Sequence, residues 1–346
     1  MAQFTLNKFQ TGGHMPNQVF RRRRSFLDYY RRIFSAYLGR AQSQLTFWHE
    51  VPEVNPRFTP NSLGEYYMTF SSKADYPGPF DAAGIPMLNY RGRIGKQYNP
   101  IAIAQYGLGN YNIYTHTGDP SRRKKFLLAA DWLLSMLTPN SSGLAVWMHN
   151  FDWEYRDLLC APWYSGLAQG QGISVLVRAH QFTGNPTYLN AARKAFECFT
   201  TETTQGGVIS HDKRGNIWFE EYIVFPPTHI LNGFIWALWG VYDYFLVTRS
   251  NEAEKIFNAA VRTLSNSLGD YDVGFWSLYE QPGTKLSMVA SPFYHSLHIV
   301  QLRITERLTG ERTFGMFADR WQSYEQNRVK RMRALIHKAV FKLLYY

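Results

Sequence analysis

Cysteine is nearly absent from this 346-residue chain: only Cys160 and Cys198 occur. Two thiols build neither a disulfide framework nor a Cys-rich zinc site. Long apolar runs are missing too, so no segment reads as a bilayer-spanning helix. The opening stretch, MAQFTLNKFQTGG, has no apolar h-region. That argues against signal-peptide secretion and for a reducing cytosol. Charged residues are modest at 18%, against 45% hydrophobic residues. A substantial core is therefore expected and global disorder is excluded. What the chain has in excess is aromatic side chains, 16% in all. The length fits one large domain or two modest ones.

Acidic residues are scarce in two particular places. Segment 20–40 carries seven arginines against Asp28, and segment 328–346 carries six bases and no acid. Each contributes +6 to a net charge of +11, which leaves the remainder at −1. Both segments mix bases with aromatic and aliphatic residues at roughly helical spacing. One reading is attachment to an anionic membrane surface, with apolar side chains at the interface. The other is two helices packed on the body, or on each other, with a solvated basic face. Nucleic-acid binding is not expected, because no nucleic-acid module accompanies the charge.

Four helical hairpins follow residue 98. PIAIAQYGLGNYNIYTHTG precedes DPSRRKKFLLAADWLLSML, where Asp119 can cap a helix with Pro120 at its first position. SGLAQGQGISVLVRAHQFTG precedes NPTYLNAARKAFECFT, HILNGFIWALWGVYDYFLVT precedes NEAEKIFNAAVRTLSNSL, and YHSLHIVQLRITERLTG precedes ERTFGMFADRWQSYEQ. The alternating stretch with an Arg-Gly turn after residue 206 predicts a β-hairpin, and 271–292 reads as strand–turn–strand. Successive α-hairpins can wind into an (α/α) toroid whose connections open on one face. That predicts a cleft built from residues near 140–164, 205–228 and 269–294. The expected order is a basic helical segment (1–44), a small β-rich region (45–95), a mainly α toroid (96–327) and a basic C-terminal helix (328–346).

Carboxylates and phenols gather in those connections. Strand alternation through Trp218–Tyr222 sends Glu220 and Tyr222 to one face and Glu221 to the other. Tyr279 follows in the next connection. Tyr294, His295 and His298 stand at a helix start, the two histidines spaced to share a helix face. Such a set suits proton transfer at a carbon next to a sugar carboxylate, which needs a positioned base and stabilisation of enolate-like charge. The plainer alternatives are a packed Tyr, capping glutamates, core histidines and a solvated Asp152/Glu154 pair. Two histidines without a third ligand make no metal site, and neither metal nor cofactor is expected.

In order along the chain, YNPIAIAQYGLGNY, WYSGLAQGQGISVLVRAHQFTGNPTYLNAARKAF, WFEEY, LNGFIWALWGVYDY, WSLYE and YHSLHIVQL resemble the C-terminal catalytic domain of D-glucuronyl C5-epimerases. The resemblance spans roughly residues 85–325. It implies an enzyme converting D-glucuronate to L-iduronate in a heparosan-like polymer, on a helical toroid, as a homodimer. Carried over residue by residue, the family's functional positions fall on Glu221, Tyr222, Tyr279 and Tyr294, with Asn232 as a substrate contact. Trp163, Gln169, Trp236, His295, His298 and Arg156 complete the expected binding set. Two departures stand out. The arginine that follows the strand-turn tyrosine in animal enzymes is absent, since Glu280, Gln281 and Pro282 follow Tyr279. Lys285, Arg156 or His295 are then candidates to neutralise the substrate carboxylate. The family's EEYP is EEYI here. A uronate lyase and a non-catalytic glycan-binding protein are the competing readings. The expected partner is an acidic, uronate-containing polysaccharide, handled at the cytoplasmic side of the inner membrane.

Overall fold

The computed structural model of the protein describes residue 47 and residues 51–90, 94–155, 158–281 and 284–345. The basic segment expected over 1–44 lies outside the described residues. So does Arg156.

Four α-hairpins form, as the capping signals require. The first pairs α2 (Pro100–Thr117) with α3 (Pro120–Ser135). The second pairs α4 (Gly166–Thr183) with α5 (Pro186–Phe196). The third pairs α6 (Leu231–Thr248) with α7 (Asn251–Ser267), and the fourth α8 (Pro292–Thr309) with α9 (Arg312–Gln326). Asp119 accepts from the Ser121 amide at 2.8 Å, and Asn185 from the Thr187 amide at 3.0 Å. Each thus satisfies an orphan donor ahead of a proline at the first helical position. Gly118, Gly184 and Gly310 end the first helices of three hairpins in the left-handed region. In the third hairpin that position is Arg249, at φ 53°. A side chain is rarely tolerated there.

The first helix of each hairpin is buried over most of its surface, while α3, α5, α7 and α9 bury one face only. That division makes an inner and an outer ring. The inner helices α4 and α6 approach so closely that a Cβ on Gly240 would overlap the Gly170 backbone. Further along the same pair of helices, Arg178 on α4 meets Asp243 on α6 at 2.6 Å, both fully buried. The Tyr67 hydroxyl donates to the same carboxylate at 2.6 Å, and Arg178 Nε donates to the Gly64 carbonyl at 2.9 Å. This one ion pair therefore joins the ring to the chain that precedes it.

That preceding stretch shares the helical core. Phe58, Tyr66, Tyr67, Met68, Phe70 and Ile85 pack in one cluster with the inner helices. Asn112 on α2 accepts from the Tyr66 amide and donates to the Met68 carbonyl. A short helix, α1 (Ser71–Ala74), precedes the antiparallel pair β1 (Leu88–Tyr90) and β2 (Gly95–Gln97). The rest of the strand content here is isolated bridges.

The connections carry small hairpins. β3 (Leu137–Pro139) pairs with β4 (Ala145–Trp147), and β5 (Trp153–Glu154) with β6 (Leu158–Leu159). The expected Arg-Gly hairpin forms from β7 (Ile209–His211) and β8 (Ile217–Phe219). Between the third and fourth α-hairpins, strand–turn–strand is reduced to two isolated bridges, Asp272↔Ser277 and Leu278↔Val289. A final helix, α10 (Arg328–Tyr345), lies against the fourth hairpin.

Replacing Asp243 by alanine strands a buried guanidinium. It should lower unfolding free energy by about 3–5 kcal/mol, read from urea denaturation. Pairing Arg178→Met with Asp243→Leu should recover most of that loss.

Candidate active site

Beside the inner helices lies a cavity of about 200 Å³. Two connections, the starts of α2, α6 and α8 and the chain before α2 wall it. The first connection supplies His149, Phe151, Trp153 and Trp163; the second, Glu221 and Tyr222; and the first turn of α8, just past the third, Phe293 and Tyr294. Asn232 and Trp236 enter from the first turns of α6. Met68, Phe70, Lys73 and Tyr90 close the side that sequence reasoning left blank, with Asn99, Ile101 and Gln105 from the start of α2.

Glu220 and Glu221 take different environments. Glu220 Oε1 accepts from Ser210 Oγ at 2.5 Å and contacts His229 Nδ1 at 2.6 Å, while Oε2 accepts from the His229 amide at 3.1 Å. It is a brace between β7 and the approach to α6. Glu221 faces the cavity. Its carboxylate lies over Gly233 of α6, where any Cβ would overlap it. Asn232 Nδ2 donates to it at 3.5 Å. Burial, with smaller contributions from Glu280 and Glu220, pushes its pKa up to about 8, against the pull of a hydrogen bond from Tyr222.

Glu221 and Tyr222 line the cavity together, contrary to the expected alternation. β8 ends at Phe219, so residues 220–222 lie past the strand and its period of two no longer applies. The Glu220 carbonyl instead accepts from the Gly166 amide at 2.8 Å, which folds this turn onto the start of α4.

The phenols cluster beside the carboxyl. Tyr222 packs on Tyr155 at 4.5 Å between ring centroids and on Trp163 at 5.6 Å. Tyr155 in turn donates to Glu280. Tyr279 meets Tyr294 edge-on at 4.9 Å, and its carbonyl accepts from the first amide of α6. Burial raises all three of Tyr222, Tyr279 and Tyr294 above the ordinary phenol range, and Glu221 adds to the effect. They are neutral proton donors at physiological pH.

The remaining expected residues divide. Trp163, Asn232 and Trp236 line the cavity. Gln169 turns away: it accepts from the Trp147 amide and donates to the Ala145 carbonyl, fixing β4 against α4. His295 stacks on Trp276 at 3.8 Å, and its ring nitrogens contact Ser277 and the Trp321 carbonyl. His298 shares the same Ser277 hydroxyl at 3.0 Å. Both are buried core histidines with depressed basicity, clamping the third connection to α8. Lys285 is exposed and outside the cavity lining. Asp152 and Glu154 are exposed too.

Lys73 and His149 were not singled out from the sequence. Lys73 is the cation among the described lining residues. It is 4% exposed, with Nζ donating to the Phe47 carbonyl at 2.6 Å. His149 lies flat on Trp163, 3.9 Å between centroids and 4° apart. Burial drops its pKa to about 3, so it is neutral. Among the described residues neither of its nitrogens has a partner, nor do Asn232 Oδ1, Gln105 Oε1 and Trp236 Nε1. Five orphaned polar atoms around an aromatic-walled cavity are matched to a ligand rich in hydroxyl and carboxyl groups.

Glu221→Gln isolates the cost of burying this carboxyl. Below the unfolded value near 4.5, both states hold the proton. Between 4.5 and about 8 the unfolded chain ionises and the folded one does not, so stability falls as pH rises. The variant should match the native protein in thermal melts at pH 4.5 and exceed it by several degrees at pH 8.5.

A family described as D-glucuronyl C5-epimerase C-terminus matches residues 139–323. The chain is 32% identical over 214 residues to the D-glucuronyl C5-epimerase of Caenorhabditis elegans, covering 58% of this chain and 34% of that protein. It thus spans about a third of that relative's length. An uncharacterized protein of Methanocaldococcus jannaschii is 24% identical over 298 residues, covering 80% of this chain and 93% of its own. Among solved structures, the cellobiose 2-epimerase of Bacillus thermoamylovorans B4167 superposes with a TM-score of 0.54 at 9% identity, over 87% of this chain and 88% of that one. That of Spirochaeta thermophila gives 0.50 at 12% identity, over 86% of each. These two show the fold alone, and it is the helical toroid described above. With more than half its length matched, the chain belongs to the D-glucuronyl C5-epimerase C-terminus family.

Proposed function

We propose that this chain is a uronyl C5-epimerase. It converts D-glucuronate to L-iduronate residues in a heparosan-like acidic polysaccharide, and needs no cofactor for the step. One observation carries the reading. A buried carboxyl with its pKa pushed up to about 8, the neutral phenols Tyr222 and Tyr294 and a lysine line one aromatic cavity, with Tyr279, outside the lining, packed on Tyr294.

Each group has a task the chemistry requires. In its ionised form Glu221 takes the C5 proton. The electron pair left on C5 delocalises into the adjacent sugar carboxylate, which then carries a second negative charge. Lys73 neutralises that charge, the role for which an arginine near Tyr279 is missing. Tyr294 returns a proton to C5 from the other side of the ring, and its charge is relieved through Tyr279. Tyr222 holds the Glu221 carboxylate. His149, Asn232, Gln105 and Trp236 bind ring hydroxyls, and Trp163 offers a flat face to the sugar. The match to the D-glucuronyl C5-epimerase family supports this reading, and so does the gathering of these polar atoms round one cavity. We further propose a homodimer working in polysaccharide assembly on the cytoplasmic side of a membrane.

Incubating the protein with heparosan in deuterium oxide tests the reaction. Deuterium should enter at C5 with new iduronate resonances and no ultraviolet-absorbing product. An unsaturated product would make it a lyase, and binding without exchange a glycan-binding protein. Glu221→Gln and Tyr294→Phe should each cut exchange by about 10²–10⁴-fold. Lys73→Met should lower it by about 10²-fold or more on the free acid and far less on the uronate methyl ester, which needs no counter-charge.

Because Glu221 must be ionised to accept a proton, exchange should climb with pH and level off above about 8. A flat profile from pH 6 to 9 would remove Glu221 from the base role.

A further inference from the structure

The helix α10 is held to the body by one face and presents the wrong face to solvent. Ala334, Leu335 and Phe341 are buried. Arg333 lies over the Phe275 ring at 4.2 Å, Lys330 over Tyr324 at 3.8 Å, and Lys338 donates to the Val289 carbonyl at 2.6 Å. A helix anchored this way ordinarily turns a polar face outward. Here Val329, Met332, Ile336, Val340 and Leu343 follow one another at spacings of three and four, with Leu344 beside them, all between 41% and 77% exposed. The stripe is about 21 Å long at 1.5 Å per residue. A groove of about 610 Å³ runs beside it, between the stripe, Leu286 and His337.

The charge around the stripe narrows the occupant. Arg328, Lys330, Arg331, Arg333, Lys338 and Lys342 make α10 +6 with no acid. A second copy laid on the same face would set the exposed Arg328, Arg331 and Arg333 against their counterparts, with no carboxylate on either helix to answer them. An acidic polysaccharide would satisfy the bases and leave a continuous apolar ridge in water. A bilayer with anionic headgroups satisfies both, since acyl chains receive the ridge while phosphates meet the basic edges. We infer that α10 is a membrane-docking helix that lies flat on an anionic lipid surface. The inference is independent of the proposed reaction.

Vesicle flotation of the full chain tests it. The protein should float with phosphatidylcholine vesicles containing 30% phosphatidylglycerol at low salt. It should not float with phosphatidylcholine alone, and 0.5 M salt should weaken the binding. Met332→Glu with Ile336→Glu, or the milder Met332→Ser with Ile336→Ser, should reduce partitioning at least tenfold with thermal melts unchanged, because these side chains are solvent-exposed. Failure to float with anionic vesicles overturns the inference. So does flotation unaffected by either double variant, which would put the lipid contact elsewhere. A dimer in light scattering that these variants dissociate would assign the face to a second copy instead.

Discussion

Everything in this molecule that faces the cavity depends on how closely α4 and α6 approach. Glycines at 170 and 240 leave no side chain between the two backbones, and the Arg178–Asp243 pair fixes their register from within. A dry ion pair is a poor source of net stability but a strong constraint on geometry, because any slip strands a charge. Tyr67 and the Gly64 carbonyl complete its hydrogen bonds. The chain before α2 is therefore tied to the ring through the same contact. That attachment brings Phe70, Lys73 and Tyr90 round to the cavity.

The position of α6 then decides the electrostatics. Its second residue is Asn232 and its third is Gly233, and Glu221 rests on that bare backbone. Two adjacent carboxyls are separated by their partners alone. Glu220 receives Ser210 and two contacts from His229, whereas Glu221 receives one long hydrogen bond from Asn232, the help of Tyr222, and apolar walls. The fold thus withholds from one glutamate the stabilisation it gives to its neighbour. Local stability is lost, and a group that can hold or release a proton near neutral pH is the result.

The helical hairpins were legible because their signals are local: Asp119-Pro120, Asn185-Pro186 and the glycines at the breaks act within one turn. The convergence of Tyr222, Trp163, Asn232, Trp236 and Tyr294 was legible through motif order and the toroid rule that connections open on one face. Contacts across long sequence distances were not. Lys73 sits in a four-residue helix with no periodic pattern, and His149 is a single residue in an aromatic-rich loop. Only the folded chain brings them to the same cavity as Glu221. Misreading residues 220–222 as strand had a simpler cause. Alternation is a property of paired backbone, and pairing stops at Phe219. His295 and His298 carried the spacing of a functional pair, yet Ser277 and Trp276 absorb them into the packing.

The phenols and the carboxyl also divide the labour of a two-sided proton transfer in the proposed reaction. A tyrosine acting as base would have to ionise in a site where burial and Glu221 both oppose the phenolate. A carboxyl raised to about 8 ionises far more readily. In the proposed reaction the initial proton abstraction is therefore assigned to Glu221. Tyr294 then gives up its proton only once negative charge has formed on the substrate, when a nearby lysine and a second phenol share the cost. After one turnover the carboxyl holds the proton and the tyrosine lacks it, which is the starting arrangement for the reverse conversion. The same cavity would then run the reaction both ways, and the balance of products would be set by the relative stability of the two sugars rather than by the protein.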